Sequence, residues 1–141
     1  MRTVFSGGLW LSYAQMYVET GELADIDADL AAAFAGQRNG LCGAAVPGRL
    51  WLITGMHTGT VPCTVEVHDT APPVEERWEE VVEASFTPAG MPAWLIGCMG
   101  EFAAQFVLGP GVTYRVRYCG SGLDAGHAAD TRGEDDPVVD R

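Results

Sequence analysis

Arg49-Leu50-Trp51-Leu52-Ile53-Thr54-Gly55-Met56-His57-Thr58-Gly59-Thr60-Val61-Pro62-Cys63-Thr64-Val65-Glu66-Val67-His68 is the stretch that decides the fold. Its first arm is nearly all apolar. Its second arm alternates, with Val61, Cys63, Val65 and Val67 on one parity and Pro62, Thr64, Glu66 and His68 on the other. A period of two sends successive side chains to opposite faces of a strand. One face of the second arm is therefore buried and the other wet, the pattern of an antiparallel sheet packed on a second layer. The Gly-containing link from Gly55 to Gly59 predicts a hairpin between the two arms.

Upstream, Leu9 to Val18 reads as one strand, because aromatic and branched residues favour extended backbone. Both of its faces are apolar, which places it centrally. Gly7-Gly8 marks a turn or bulge before it. Glu22 to Ala35 is the one good helix. Leu23, Ile26, Leu30 and Phe34 make its apolar stripe, Asp25 or Asp27 caps its start, and Gly36 suits a left-handed stop. Asp25, Asp27 and Asp29 open like a calcium loop, but Leu30 stands where that loop needs Gly and Gly36 where it needs Glu. Capping explains them better. Leu41 to Val46 is a further candidate strand, and Pro47-Gly48 a turn.

Downstream, Ala71-Pro72-Pro73 breaks the sheet. Val74 to Phe86 carries the densest acidic block, with Glu75, Glu76, Glu79, Glu80 and Glu83. One helical turn over 75–80 and a strand from about 80 to 87 are expected, with Val82, Ala84 and Phe86 sharing a face. Ala93 to Cys98 is a short buried strand, and Phe102 to Leu108 returns the chain after Met99-Gly100-Glu101. Gly109-Pro110-Gly111 turns it again. Val112 to Cys119 then alternates, with Tyr114, Val116 and Tyr118 on one face and Thr113, Arg115 and Arg117 on the other. Two same-face arginines can grip an anion with forked donors. More often such a pair is the solvated side of a strand, bonded across to Glu on a neighbouring strand. Leu123 to Arg141 loses the apolar pattern and reads as an acidic loop or flexible tail.

These elements make a single domain, 1–122, followed by the acidic segment 123–141. At 141 residues the chain buries roughly two thirds of its extended surface. The expected fold is mainly β: an antiparallel β-sandwich of about seven to nine strands with one short helix, in which sequence neighbours pair as hairpins. No apolar run approaches the ~20 residues that span a bilayer, and Met1 to Trp10 makes a poor secretion signal. A cytoplasmic protein without membrane association is the expectation. Cys42, Cys63, Cys98 and Cys119 form no CxxC pair and suit reduced core positions, with two disulfides open on the even count.

The net charge of −11, from 19 acidic residues against 8 arginines and no lysine, disfavours direct nucleic-acid binding. It would favour encounter with a basic partner, though solubility, as in many bacterial proteins, is the stronger reading of such an acidic surface. No GxSxG elbow, phosphate loop, dinucleotide fingerprint or HExxH occurs. Nothing along the chain brings Cys42 or Cys119 to His57 or His127, as a thiolate nucleophile requires. Cys63 and His68 have opposite parity, against a shared zinc site. No catalytic residue, metal site or cofactor is assigned.

Ser12-Tyr13-Ala14-Gln15-Met16-Tyr17, the central stretch with Val65-Glu66-Val67, Trp78 before Val81-Val82, and Gly111 followed by Tyr114-Arg115-Val116-Arg117 resemble the bacterial competence protein J family over about residues 9 to 119. The resemblance implies a non-enzymatic inhibitor of a nuclease, and it carries over no inhibitory residues. The four cysteines and the acidic tail depart from it. The expected function is a protein-binding module, of the inhibitor or immunity type, that offers Glu75, Glu76, Glu79 and Glu80 to a basic protein such as a nuclease. The alternatives are a β-sandwich binding a small anion through Arg115 and Arg117 or calcium through the tail carboxylates, and an enzyme with an unrecognised site.

Overall fold

A computed structural model describes residues 1–21, 30–100, 102–109 and 111–129. In chain order the elements are β1 (Arg2–Leu11), β2 (Gln15–Thr20), α1 (Leu30–Ala33), β3 (Cys42–Gly43), β4 (Arg49–Ile53), β5 (Gly59–Val67), β6 (Glu80–Phe86), β7 (Ala93–Gly97), β8 (Phe102–Phe106), β9 (Tyr114–Gly120) and α2 (Leu123–Ala129). The protein is mainly β. Every pairing is antiparallel. One sheet has the order β3-β4-β2-β7-β8, and two further ladders are β1-β5 and β6-β9.

One apolar cluster joins the three ladders. Met16, Val18, Leu50, Leu52, Ala93, Leu95 and Phe106 reach it from the five-stranded sheet. Leu9, Ala84 and Phe86, with Val65, Val67, Val82 and Val116, reach it from the two ladders opposite. The alternation read along β5, β6 and β9 therefore has its expected cause: one side of each lies against the other layer. The Tyr118 hydroxyl crosses between layers to donate to Ile53 O at 2.7 Å.

The expected hairpin over Arg49 to His68 does not form. β4 pairs with β2 and β3, whereas β5 pairs with β1. Burial explains the difference. Leu50, Trp51 and Leu52 are all buried, as suits a strand covered on both faces, and β5 has one wet face. The link between them is an arch from one layer to the other, anchored by the buried Met56 and by Thr54 Oγ1 donating to Met56 O at 2.9 Å.

The single strand expected over Leu9 to Val18 is likewise two strands in different layers. Tyr13 and Ala14 turn between them with φ of 58° and 56°. Both lie in the left-handed region that favours Asn and Gly at the centre of such a turn. Ala14 donates to His57 O at 2.8 Å and accepts from Thr54 N at 2.9 Å. The two arches thus brace each other at one end of the molecule, and these tertiary bonds hold a turn that local preference opposes.

Three further expectations change. Gly7 and Gly8 lie inside β1, opposite Cys63 and Pro62; a Cβ on Gly8 would stand 2.8 Å from Thr60 Cγ2. Hairpins do not dominate, since β3-β4 and β7-β8 are the sequence-adjacent ladders among the six. The segment after Gly122 opens as α2 rather than a loop: Gly126 N donates to Gly122 O at 2.8 Å, and the Leu123 backbone seats against Gly55. Residues 130–141 lie outside the described residues, as do 22–29 with Asp25, Asp27 and the start of the expected helix. Its last turn is α1, and Gly36 stops it with φ 73° as expected.

Candidate functional site

One hydrogen-bonded turn and its ties to the end of β9 hold the acidic block before β6. Trp78 N donates to Glu75 O at 3.3 Å, so a hydrogen-bonded turn over 75–78 stands where a helical turn over 75–80 is expected. Arg77 bonds to the Glu75 carboxylate and lies over the Trp78 ring, 4.2 Å from its centroid. Ser121 Oγ donates to Arg77 O at 3.1 Å. Glu79 N donates to Gly120 O at 3.1 Å, and the Glu79 carboxylate accepts from Gly122 N at 3.0 Å. The end of β9 and the Ser121-Gly122 link that follows it therefore fix this segment. Glu75, Glu76, Glu79 and Glu80 are all exposed. Glu76 and Glu80 carry no ion pair among the described residues. Exposed Asp124 on α2 lines the same cleft as Glu80.

That cleft, of about 440 Å³, lies between Leu41, Thr54, Val82, Leu123 and His127, with the Glu80 and Asp124 carboxylates beside them. A second, of about 540 Å³, lies between Val82–Ser85 on one wall and Ala35, Gln37, Arg38 and Ala44 on the other. Asn39 and Val82 belong to both. The two clefts thus follow β6 along the edge that faces β3. The Gln37 and Asn39 side chains shape the far wall by bonding the backbone of residues 41, 42 and 44.

Arg115 and Arg117 sit together on the outer face of β9, as expected, but Glu83 of β6 lies between them. Arg115 Nε donates to Glu83 Oε2 at 3.2 Å and Arg117 Nε to Oε1 at 3.0 Å. Arg117 Nη1 also donates to Pro72 O at 2.6 Å. These bonds, Arg117's first and Arg115's next, hold the Glu83 carboxyl below its usual range. An anion would have to displace an internal carboxylate from this pair.

A polar group that the residue pattern did not disclose lies on the outer face of the five-stranded sheet. Glu19 and Arg49 are direct cross-strand partners, as are Tyr17 and Trp51. Arg49 Nη2 is 2.8 Å from Glu19 Oε1. The guanidinium carbon lies 4.2 Å from the Tyr17 ring centroid and 4.7 Å from that of Trp51. The Tyr17 hydroxyl donates to Gln15 Oε1 at 2.7 Å and lies 3.1 Å from Cys98 Sγ. Burial, then the bond to Cys98, pushes the Tyr17 hydroxyl pKa well up. Burial also raises the Glu19 carboxyl, against the opposing pull of Arg49. Arg49 Nε and Trp51 Nε1 are buried without an acceptor among the described residues. The β2-β4 register is the signal that would have revealed this group, and the expected β4-β5 hairpin concealed it.

The remaining titratable groups are dispersed. Exposed His57 Nδ1 bonds Thr58 Oγ1 at 2.7 Å, and its ring meets Tyr13 edge-on at 5.2 Å. His68 bonds Glu66 at 2.9 Å. Burial pushes the Cys42 and Cys63 thiols up to about 11, which leaves them poor nucleophiles at neutral pH. Among the described residues no three His, Cys, Asp or Glu side chains are arranged to hold a metal ion, and no helix is long and apolar enough to cross a membrane. Asp25, Asp27 and Asp29, and the tail carboxylates beyond residue 129, fall outside the described residues. Comparison of the chain with protein-family models, curated proteins and solved structures gives no match.

Proposed function

We propose that the chain is a non-enzymatic protein-binding module that presents the carboxylates at the start of β6 to a basic protein in the cytoplasm. One observation carries this reading: Glu75, Glu76, Glu79 and Glu80 are exposed together, and Asp124 of α2 adds a fifth exposed carboxylate on the cleft that Glu80 lines. Their scaffold is tied to Gly120 O of β9 through Glu79 N and to Gly122 N through the Glu79 carboxylate, so the segment is held before a partner arrives. The net charge of −11 would hasten encounter with a cationic surface. Resemblance to the competence protein J family favours a nuclease as that partner, with the carboxylates competing against nucleic acid for its cationic cleft.

Capture from host lysate on the immobilised protein tests this. A basic protein should be retained at low salt and released near 0.5 M, where screening shortens to roughly 4–5 Å. Reversing all four glutamates to lysine should abolish its capture. If the captured protein is a nuclease, adding the free chain should inhibit it. Retention of only neutral or acidic proteins, unchanged by the four reversals, contradicts the reading.

A second reading, binding of a small acceptor ligand such as a carboxylate, is favoured by the unpartnered Arg49 Nε and Trp51 Nε1, and not by the Glu83-occupied Arg115 and Arg117. A rise in melting temperature with millimolar acetate or phosphate, lost in Arg49→Met, would support it.

A further inference from the structure

We propose that the free edge of β6 takes an extended, cationic segment of the partner as an added strand, with an Arg or Lys side chain held between Glu80 and Asp124. This deepens the protein-binding reading above and rests on it.

Three observations converge. Among the described residues β6 is hydrogen-bonded to β9 alone. In an antiparallel pair, alternate residues point their N–H and C=O groups away from the partner strand, so β6 offers a row of such groups on its other side. That side opens on the two clefts, about 440 and 540 Å³, which meet at Val82 and Asn39 and run from Glu80 to Ser85. The end at Glu80 is acidic and wet, with Asp124 lining the same cleft beside apolar Leu41, Val82 and Leu123. An Arg or Lys side chain fits that chemistry, with its aliphatic stem on the apolar wall and its charged head at the carboxylates. Backbone pairing along an exposed edge supplies affinity that does not depend on the guest's sequence, and side-chain pockets supply choice. The charge of the far end is mixed, with Arg38 and Glu83 both lining it, so the cationic requirement is confined to one end of the guest.

The test uses the full chain and a fluorescein-labelled peptide, Arg-Val-Arg-Val-Arg-Val, with fluorescence anisotropy at low salt. Three comparisons are needed: the same peptide methylated at every backbone nitrogen, the variant Glu80→Lys with Asp124→Lys, and the variant Glu75→Lys with Glu76→Lys. Each variant is first checked for unchanged far-ultraviolet circular dichroism. Methylation and the Glu80/Asp124 reversal should each weaken binding by about tenfold or more, and the Glu75/Glu76 reversal by less than about threefold. Equal binding of the methylated peptide overturns strand addition. Equal effects of the two reversals overturn the assignment of the cationic pocket. If the peptide fails to bind while salt-sensitive capture of a basic protein persists, this inference falls and the acidic-face reading stands. Loss of both removes the reading itself.

Discussion

Arg49 and Glu19 stand opposite each other on β4 and β2, 2.8 Å apart, on the side of the five-stranded sheet turned away from the shared core. Removing only the arginine, as in Arg49→Met, leaves a buried carboxylate without its partner and should cost about 3–5 kcal/mol. The double replacement Glu19→Leu with Arg49→Met should cost much less, because a buried ion pair exchanged for packed apolar groups is often near neutral. Urea unfolding of the two variants measures both. The pH dependence follows from the raised Glu19 pKa. The folded state holds that proton more tightly than the unfolded chain. This group's contribution is therefore greatest below the ordinary carboxylate range and falls as pH rises through its folded value. Glu19→Gln should remove that fall from the stability profile.

Glu83 has the opposite sign. Its carboxyl is held low by Arg117 and Arg115, so its contribution is present above the unfolded pKa and is lost as pH falls through the folded value. A carboxyl-resolved NMR titration should find Glu83 titrating below the ordinary glutamate range. Glu83→Ala releases the Nε donors of Arg115 and Arg117, and phosphate should then shift their resonances while leaving those of the unaltered protein in place.

Tyr13-Ala14 offers a way to gain stability. Both residues hold a left-handed backbone that costs an L-residue roughly 1–2 kcal/mol. Ala14→Gly should raise the unfolding free energy by about 0.5–1 kcal/mol, seen as a higher urea midpoint at unchanged slope. A lower midpoint would mean that the Ala14 methyl contributes packing that outweighs the backbone term.

Gly55 has no room for a side chain: an added Cβ would lie 2.0 Å from Leu123 O. Gly55→Ala should displace α2 and lower its amide protection against hydrogen exchange. Gly36→Ala meets no neighbour within 4 Å but holds φ 73°, and should cost only about 1 kcal/mol from the backbone.

The thiols give a simpler check. Burial raises Cys42 and Cys63 to about 11 and raises Cys119 as well. Cys42 and Cys63 should resist Ellman's reagent at pH 8 in the native protein, and all four thiols should react in denaturant. Rapid native reaction of Cys42 would contradict its place in the core.

What could be read in the chain, and what could not, divides on locality. Val61 to Val67, Val82 to Phe86 and Tyr114 to Tyr118 declare strand, face and parity directly, because each has one dry side. Arg49 to Ile53 declares a strand but not its partners, since an apolar run fits any covered position. The turn at Tyr13-Ala14 was illegible because neither residue is one that such a turn normally selects; hydrogen bonds to Thr54 and His57 hold it. α2 was illegible for a similar reason: Leu-Asp-Ala-Gly-His-Ala-Ala has little periodicity, and seating against Gly55 accompanies its helical form. The exposed glutamates were visible as charges. The cleft beside Glu80 was not, because it depends on two layers meeting along the β3 and β6 edges.

The most direct test of the account is hydrogen–deuterium exchange of this protein, alone and with the basic protein it retains at low salt. Added protection should concentrate in residues 75–86 and in α2, with β1 and β5 unchanged. Protection over β1 and β5, with β6 exchanging as in the free protein, would contradict it.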